Sequence, residues 1–234
     1  MEIKVMIGVP TNEMARHSSF YDYLELLEKP ENTFSTRAHG QSPARNRNLI
    51  IQEAIDKECT HVLLIDDDII VKSDLLIQLL EHDVDIVSAL ALMRNYPHPP
   101  LAFTSADEMG KCLFTVLPKN ESGLIEVVAT GLGCILIKTS IFDKLERPWI
   151  RLGELESDEW CDDIGFFKRV REAGIKIYCD LDAQVGHVTS VVIWPNQING
   201  NWYTSYDSQG RSRLNTPQIE SNEPQHKVKW YGTD

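Results

Sequence analysis

A short apolar strand that ends in three consecutive aspartates constrains the fold of this chain more than any other sequence feature. The predicted strand covers His61–Ile65, and Asp66, Asp67 and Asp68 follow it directly. A short, continuous apolar run is typical of a strand that is buried on both faces of a parallel sheet. Helices must then cover both faces of that sheet, so the run predicts an α/β layer architecture.

The pattern around this strand predicts a doubly wound sheet. Strand-like runs and helical patterns alternate over residues 1–90, beginning with a strand near Ile3–Val9. Ser42 and Pro43 are typical residues for the N-cap and first turn of a helix, and Ser73 predicts the start of another. We therefore expect a Rossmann-like mixed, mostly parallel sheet that is flanked by helices.

The second half of the chain predicts further strands, one more helix and an irregular end. Residues 112–117 and 124–129 are predicted to pair as antiparallel strands, and a helix is predicted over 162–173. Further along, the periodicity fades among isolated aromatics and Pro, Asn, Gly and Ser residues. We therefore expect one domain over residues 1–190 and an irregular C-terminal extension over 191–234, which packs on the domain or closes over a site.

Charge and cysteine content exclude several classes of protein. The chain has 23 Lys and Arg residues against 35 Asp and Glu residues, so its formal net charge is −12. Such a surface repels polyanions, so we expect no nucleic-acid partner. The five cysteines are scattered and form no CxxC pair, which is typical of a reduced intracellular protein. Because no signal peptide or membrane-spanning run is recognisable, we expect a cytoplasmic location.

The aspartate triplet is the strongest candidate for a ligand site. In open α/β sheets, ligands bind at the carboxyl ends of the strands, where the triplet is predicted to lie. Three adjacent carboxylates repel one another unless a cation offsets their charge, and hard oxygen ligands favour Mg²⁺ or Mn²⁺. The alternative is a solvated acidic loop whose aspartates cap the next turn.

Two further positions carry side chains suited to chemistry. Asp162 and Asp163 precede the predicted helix, where a carboxylate either complements the helix dipole or acts as a general base. His187 follows a late strand, and it is either a metal ligand or an ordinary surface or core histidine. The functional interpretation of each requires that the fold brings it near the edge of the sheet where the triplet lies.

The end of the first strand and the helix start that follows it suit a nucleotide. Pro10, Thr11 and Asn12 end the strand, and Arg45 lies at the helix start, where it either contacts phosphate or is solvated. The sequence has no GxGxxG, Walker A, GxSxG or HExxH motif. These absences argue against the usual dinucleotide, P-loop, serine-hydrolase and zincin interpretations.

Together these segments resemble glycosyltransferases with the GT-A fold, especially those of family 2. The resemblance covers residues 1–190 and rests on short motifs that occur in the family's order. The matching segments are Val9–Thr11 at the end of the first strand, Ala44–Asn48 at the helix start, the DXD-like Val62–Asp68, the Gly-rich Thr130–Ile137, the acidic helix Asp162–Gly174 and the late Gly186-His187. Asp162 stands where the family usually has Glu.

The resemblance implies a nucleotide-sugar site with a divalent metal. A nucleoside diphosphate is strongly anionic, and an acidic protein needs a cation to hold it. Asp66, Asp68 and His187 are implied as ligands of Mn²⁺ or Mg²⁺, and Asp163 is implied as the general base, with Asp162 as the alternative. The residues implied to contact the donor, a UDP-sugar, are Pro10, Thr11, Asn12, Arg45, Asp66, Asp67 and Gly131.

The implied function is transfer of a sugar from the nucleotide sugar to a hydroxyl group of a carbohydrate or other acceptor, with inversion at the anomeric carbon. A retaining enzyme is the open alternative. A nucleotide-sugar or carbohydrate-binding module without transferase activity is the alternative from another class. A sugar-nucleotide pyrophosphorylase shares the layer pattern but needs a Gly-rich segment with an Arg after the first strand, which Pro10–Glu13 does not supply. A Mg²⁺-dependent phosphoacceptor or phosphatase domain needs a Lys and a Ser or Thr later in the sheet, which the pattern does not identify.

Overall fold

A seven-stranded sheet with helices on both faces organises the chain. The structure, a computed structural model, describes residues 2–11, 18–94, 98–106, 122–152 and 163–189, and the backbone of strands at 112–113, 191–198 and 201–208. The helices are α1 (Ser18–Leu26), α2 (Pro43–Asp56), α3 (Leu75–Glu81) and α4 (Asp163–Glu172), and a 3₁₀ helix spans Thr139–Lys144. The strands are β1 (Val5–Pro10), β2 (Thr33–Ala38), β3 (His61–Ile65), β4 (Ile69–Ile70), β5 (Ile86–Leu90), β6 (Ala102–Phe103), β7 (Ser105–Ala106), β8 (Cys112–Leu113), β9 (Leu124–Val127), β10 (Ala129–Thr130), β11 (Cys134–Lys138), β12 (Ile177–Gln184), β13 (Gly186–His187), β14 (Val191–Ile198) and β15 (Asn201–Ser208).

The central sheet is mixed and mostly parallel. Its strand order is β2-β1-β3-β11-β5-β12-β9. Strands β2, β1, β3, β5 and β12 run in one direction, whereas β11 and β9 run antiparallel to their neighbours. The predicted fold class, a mostly parallel α/β sheet flanked by helices, is therefore confirmed. We call the edge at which the five parallel strands end the carboxyl edge.

The two faces of the sheet carry separate apolar clusters. One cluster joins the sheet to α2 and α4, for example through Ile50 and Phe166. The other joins it to α1 and α3, for example through Phe20 and Leu75. Each helix buries one apolar face against the sheet, as expected for an α/β layer structure.

Strand β3 belongs to both clusters, which explains its unbroken apolar run. Val62 and Leu64 lie in the cluster that contains α2, and Leu63 and Ile65 lie in the cluster that contains α3. All four side chains are completely buried. Successive side chains of a strand point to opposite faces, so a strand covered on both sides needs an apolar residue at every position.

Helix α2 begins where the sequence predicts and packs directly on the backbone of β1. The hydroxyl of Ser42 accepts a hydrogen bond from the backbone N–H of Arg45 at 3.4 Å, and Pro43 lies in the first turn. Gly8 of β1 approaches the helix so closely that a Cβ there would lie 2.1 Å from Cγ2 of Ile50. This contact brings the first turns of α2 beside the carboxyl end of β1.

Several elements differ from the sequence predictions. Strand β2 pairs in parallel with β1 along its whole length, although its polar residues predict a loop. The described parts of the predicted antiparallel pair have other partners: β8 pairs with β7, and β9 adds to the edge of the main sheet beside β12. Residues 114–117 of the predicted pair lie outside the described residues. The unpaired backbone groups of an edge strand favour such an addition. Helix α3 has Asp74 rather than Ser73 at its N-cap position, without a side-chain cap.

The chain divides into two units, one of Met1–Met93 with Pro99–His187 and one of Arg94–His98 with Val188–Asp234. Within the second unit, β14 and β15 pair as an antiparallel hairpin whose innermost pair is Ile198 with Asn201. The sequence predicts an irregular segment there. The two residues between the strands are Asn and Gly, the pair that two-residue hairpin loops favour. Among the residues that the structure describes, no helix is long and apolar enough to cross a membrane.

Candidate functional site at the carboxyl edge

The aspartate triplet lies in a tight turn at the carboxyl edge. The backbone N–H of Ile69 donates to the carbonyl of Asp66 at 3.0 Å, which closes the turn between β3 and β4. The backbone N–H of Asp66 donates to the carbonyl of Gly133 at 2.8 Å. The turn is thus fixed to the segment that precedes β11, because β11 runs antiparallel and begins where β3 ends.

Asp66, the first residue of the triplet, pairs with an arginine of α2. Nη2 of Arg47 donates to Oδ1 of Asp66 at 2.8 Å and to Oδ2 at 2.9 Å. The Arg47 side chain is 6% exposed and the Asp66 side chain 31% exposed. A cation supplied by the protein itself therefore offsets one of the three negative charges.

Asp67, the second residue, is tied to the end of β1. The hydroxyl of Thr11 donates to Oδ2 of Asp67 at 2.6 Å. The backbone carbonyl of Thr11 in turn accepts a hydrogen bond from Nδ2 of Asn46 at 3.0 Å. The ends of β1 and β3 and the second turn of α2 are thus linked through hydrogen bonds.

Asp68, the third residue, faces His187. Oδ2 of Asp68 lies 3.7 Å from Nε2 of His187, which is too long for a direct hydrogen bond. His187 reaches this position because β13 pairs with β4, in register with Ile69. Its Nδ1 lies 2.8 Å from the carbonyl of Leu92. A carbonyl only accepts, so Nδ1 carries the proton, and in the neutral ring the lone pair of Nε2 faces Asp68.

The segment before β11 brings Asp163 to the same edge. The backbone N–H of Leu132 donates to Oδ2 of Asp163, the first residue of α4, at 3.2 Å. A Cβ at Gly131 would lie 3.9 Å from that oxygen, and one at Gly133 would lie 3.2 Å from Oδ2 of Asp66. The glycines therefore let this segment pass closely between the triplet and α4.

A buried thiol lies near the site but is unreactive. Cys134, the first residue of β11, is 3% exposed. Burial raises the pKa of its thiol strongly, and the nearby carboxylate of Asp66 raises it further. Because a thiol must ionise to act as a nucleophile, Cys134 contributes packing rather than chemistry.

The structure brings most of the residues predicted for the site to one edge. These are Pro10, Thr11, Asp66, Asp67, Asp68, Gly131, Asp163 and His187. Arg45 is exposed on the first turn of α2. Asn12 and Asp162 lie outside the described residues, so their roles stay predictions.

Sequence reasoning missed Arg47 as the partner of the triplet. The sequence instead predicts Arg45, which lies nearer the start of the helix, as the residue that contacts phosphate. A signal was present: Arg47 occurs at the helical spacing of the buried residues Ala44, Ile50 and Ile51. A cation on the apolar face of a helix needs a buried partner, and the acidic turn beside it provides one.

Asp68 and His187 lie close enough together to be two ligands of one divalent ion. Ligands of one ion lie about 2.0–2.6 Å from it, so two of them are separated by at most twice that distance. The 3.7 Å between Oδ2 and Nε2 satisfies this limit. Both oxygens of Asp66 already accept from Arg47, so its predicted role as a ligand is less well supported. Within the described ranges, no group of three or more acidic, His or Cys side chains is arranged to hold a metal.

A cleft opens beside Thr11 on the face of the sheet that carries α1. Its volume is about 780 Å³. The residues that line it are Ile7, Val9, Thr11, Tyr21, Leu24, Ser35, Thr36, Arg37 and His39. The guanidinium carbon of Arg37 lies 5.8 Å from the ring centroid of Tyr21, so a cation and an aromatic ring are both present. Such a lining suits a flat, polar ring.

Comparison with known proteins supports the fold. No protein-family model matches the chain, and no curated protein matches it in sequence. Among solved structures, the crystal structure of A197 from STIV is similar, with a TM-score of 0.54 and 14% sequence identity. The match covers 93% of this chain and 100% of that chain. At this identity the likeness concerns the fold alone, so the chemistry must be argued from this chain's own residues.

Proposed function

We propose that the protein is a metal-dependent glycosyltransferase that transfers a sugar from a UDP-sugar to an acceptor hydroxyl, with inversion at the anomeric carbon. The observation that carries the proposal is the convergence of three groups at the carboxyl edge. The aspartate triplet, the segment 131–133 and Asp163 are linked by contacts of 2.8 to 3.2 Å. His187 comes to the same edge from β13. This edge is where open α/β sheets bind their ligands.

The cleft beside Thr11 supports binding of the nucleoside part of the donor. Thr11 lines this cleft, and its hydroxyl donates to Asp67, so one lining residue contacts the triplet. Tyr21 and Arg37 offer a ring and a guanidinium on which a base stacks. We propose that a nucleoside bound there has its diphosphate at the triplet, near Asp68 and His187.

The chemistry of Asp68 and His187 supports a divalent ion beside that diphosphate. A carboxylate oxygen and a neutral imidazole nitrogen are both ligands of Mn²⁺, and the Leu92 carbonyl orients the imidazole as second-sphere groups do in metal sites. Two protein ligands suffice when substrate phosphates and water complete the coordination, as is common for Mg²⁺. Mn²⁺ or Mg²⁺ held by Asp68 and His187 would stabilise the negative charge of a departing diphosphate.

Asp163 is the proposed general base. The backbone N–H of Leu132 holds its carboxylate at the start of α4. Asp163 accepts the proton of the acceptor hydroxyl while the hydroxyl oxygen bonds to the anomeric carbon. The bond between that carbon and the diphosphate oxygen breaks at the same time, and UDP leaves with the electron pair. Attack opposite the leaving group inverts the configuration.

A panel of nucleotide sugars with Mn²⁺, read out by released nucleoside diphosphate, tests the proposal. We expect release of UDP from one UDP-sugar, and loss of this release with EDTA. Such enzymes hydrolyse their donor slowly, so no acceptor is needed. Binding of a UDP-sugar without release would instead indicate a binding module, and UTP formation from pyrophosphate would indicate a pyrophosphorylase. Absence of both binding and release across the panel would contradict the proposal.

A further inference from the structure

We propose that Arg47 is a positioning residue of the donor site: it fixes the carboxylate of Asp66 and thereby leaves Asp68, with His187, as the carboxylate that faces the metal and the diphosphate. The inference rests on the proposed function and goes beyond it, because it divides the triplet into residues that are held by the protein and one that faces the ligand.

The first step is the position of Arg47 on α2. Three consecutive polar residues of this helix bind three different parts of the first unit. Asn46 donates to the carbonyl of Thr11, Arg47 donates to Asp66, and Asn48 exchanges two hydrogen bonds with the backbone of Ile150. Because α2 is anchored on both sides of Arg47, the guanidinium is held in place by the helix.

Arg47 is also buried, so its charge needs a partner. Arg47 is 5% exposed as a residue and lies among the apolar residues of α2, where an unpaired cation is costly. The carboxylate of Asp66 compensates this charge, with its Oδ1 2.8 Å from Nη2 of Arg47. Helix and triplet are therefore coupled: the helix fixes the arginine, and the arginine fixes the first carboxylate.

The third step concerns the other two aspartates. Asn46 of α2 donates to the carbonyl of Thr11, and the hydroxyl of Thr11 donates to Asp67. Helix α2 therefore positions Asp66 directly through Arg47, and Asp67 indirectly through Thr11. Asp68 faces His187, which comes from β13 and not from α2. Helix α2 thus positions Asp66 and Asp67. Asp68 instead faces a histidine, a side chain that commonly binds metal ions.

The expected effect is a loss of ligand affinity beyond any loss of stability. Replacing a group that orients the residues around a metal typically costs about 10–100-fold in affinity or activity. We expect Arg47→Met to weaken binding of UDP in the presence of Mn²⁺ by that factor. Arg47→Lys keeps the charge but not the planar guanidinium, so we expect a smaller loss.

The experiment is a calorimetric titration of UDP with Mn²⁺ into the wild-type protein and its variants, together with thermal unfolding of each. Lys138→Met is the matched control, because it removes an ion pair with Asp83 at the opposite edge of the same sheet. We expect the control to leave UDP affinity within about two-fold of wild type, well below the 10–100-fold expected at Arg47.

A double variant separates positioning from direct contact and guards against misfolding. If Arg47 acts through Asp66, Arg47→Met in an Asp66→Asn background causes no further loss of UDP affinity. The Asp66→Asn change also avoids leaving a carboxylate without its cation when Arg47→Met alone does not fold.

Unchanged UDP affinity in both Arg47→Met and Arg47→Lys, or a full additional loss in the double variant, would overturn the inference and leave the proposed function intact. A wild-type protein that binds neither UDP nor Mn²⁺ would overturn both.

Discussion

Asp180 on β12 and the triplet at the end of β3 are both acidic groups of the central sheet, yet their surroundings differ. The Asp180 side chain is 2% exposed, whereas those of Asp66 and Asp68 are 31% and 24% exposed. Asp180 accepts hydrogen bonds from Gln78 and His82 of α3, at 2.9 and 2.8 Å. It also accepts from two backbone amides of its own strand, at 2.9 and 3.3 Å.

Under the proposed function, this difference separates a carboxylate that stabilises the fold from carboxylates that bind a ligand. The protein satisfies Asp180 with four donors and closes it off from water, so the group joins α3 to β12. The triplet keeps three negative charges on one turn with partial exposure and only one described cation beside it. Neighbouring like charges cost stability, and under the proposed function a bound divalent ion offsets this cost.

The largest effect is expected for Asp163→Asn. The amide keeps the hydrogen bond from Leu132 but cannot accept a proton, so turnover should fall by about 10²–10⁴-fold while UDP affinity stays unchanged. Release of UDP and calorimetry measure the two quantities separately. Glu172→Gln, at the exposed far end of α4, is the control and should behave as wild type. Near-normal turnover in Asp163→Asn would remove it from the role of base.

The next largest effect is expected for the two proposed metal ligands, Asp68 and His187. Asp68→Asn and His187→Gln should each weaken Mn²⁺-dependent UDP binding by at least about 10-fold, since each removes a proposed metal ligand. Asp68→Asn should not lower the free energy of unfolding, because it removes one of three neighbouring negative charges that repel one another. Asp143→Asn, an exposed aspartate elsewhere, is the control. A large loss of stability with unchanged UDP affinity would show that Asp68 belongs with Asp180.

Asp180→Asn should give the opposite result. The variant weakens charge-assisted hydrogen bonds from His82 and Gln78, and such bonds contribute about 1.5–3 kcal/mol. Urea unfolding should therefore show a loss of that order, with UDP affinity equal to wild type. Reduced UDP affinity at unchanged stability would contradict the structural assignment.

The smallest effect is a change in the response to acid. Burial acts to raise the pKa of Asp180, but the hydrogen bonds from His82 and from the amides of Asp182 and Ala183 outweigh it, so the pKa lies below its usual value. A depressed pKa contributes stability above the unfolded-state value, about 3.9, and this contribution is lost as the pH falls through the folded-state value. The stability difference between wild type and Asp180→Asn should thus shrink below about pH 4. A difference that stays constant down to pH 3 would contradict this account.

The central strand and the acidic edge could be predicted because both depend on local sequence. Val62–Ile65 is apolar at every position, since both faces are buried, and the triplet follows at the strand's end. Ser42 and Pro43 similarly identify the start of α2 by local chemistry. The role of a residue can be predicted from the sequence when it depends on residues nearby in the chain.

Other features depend on contacts between distant residues and were missed. β2 carries polar residues because it is an edge strand, and only its pairing with β1 makes it a strand. Arg47 binds a residue 19 positions away, and His187 reaches Asp68 only through the pairing of β13 with β4. The hairpin β14–β15 has a local signal, the Asn-Gly pair between its strands, but no long periodic pattern.

Binding of a nucleoside diphosphate at the carboxyl edge through a divalent ion is the basis of the proposed function. Calorimetric titration of UDP into the wild-type protein, first with Mn²⁺ and then with EDTA, measures this most directly. The account predicts clear binding with Mn²⁺ and its loss with EDTA. Equal affinity under both conditions, or no binding under either, would contradict it.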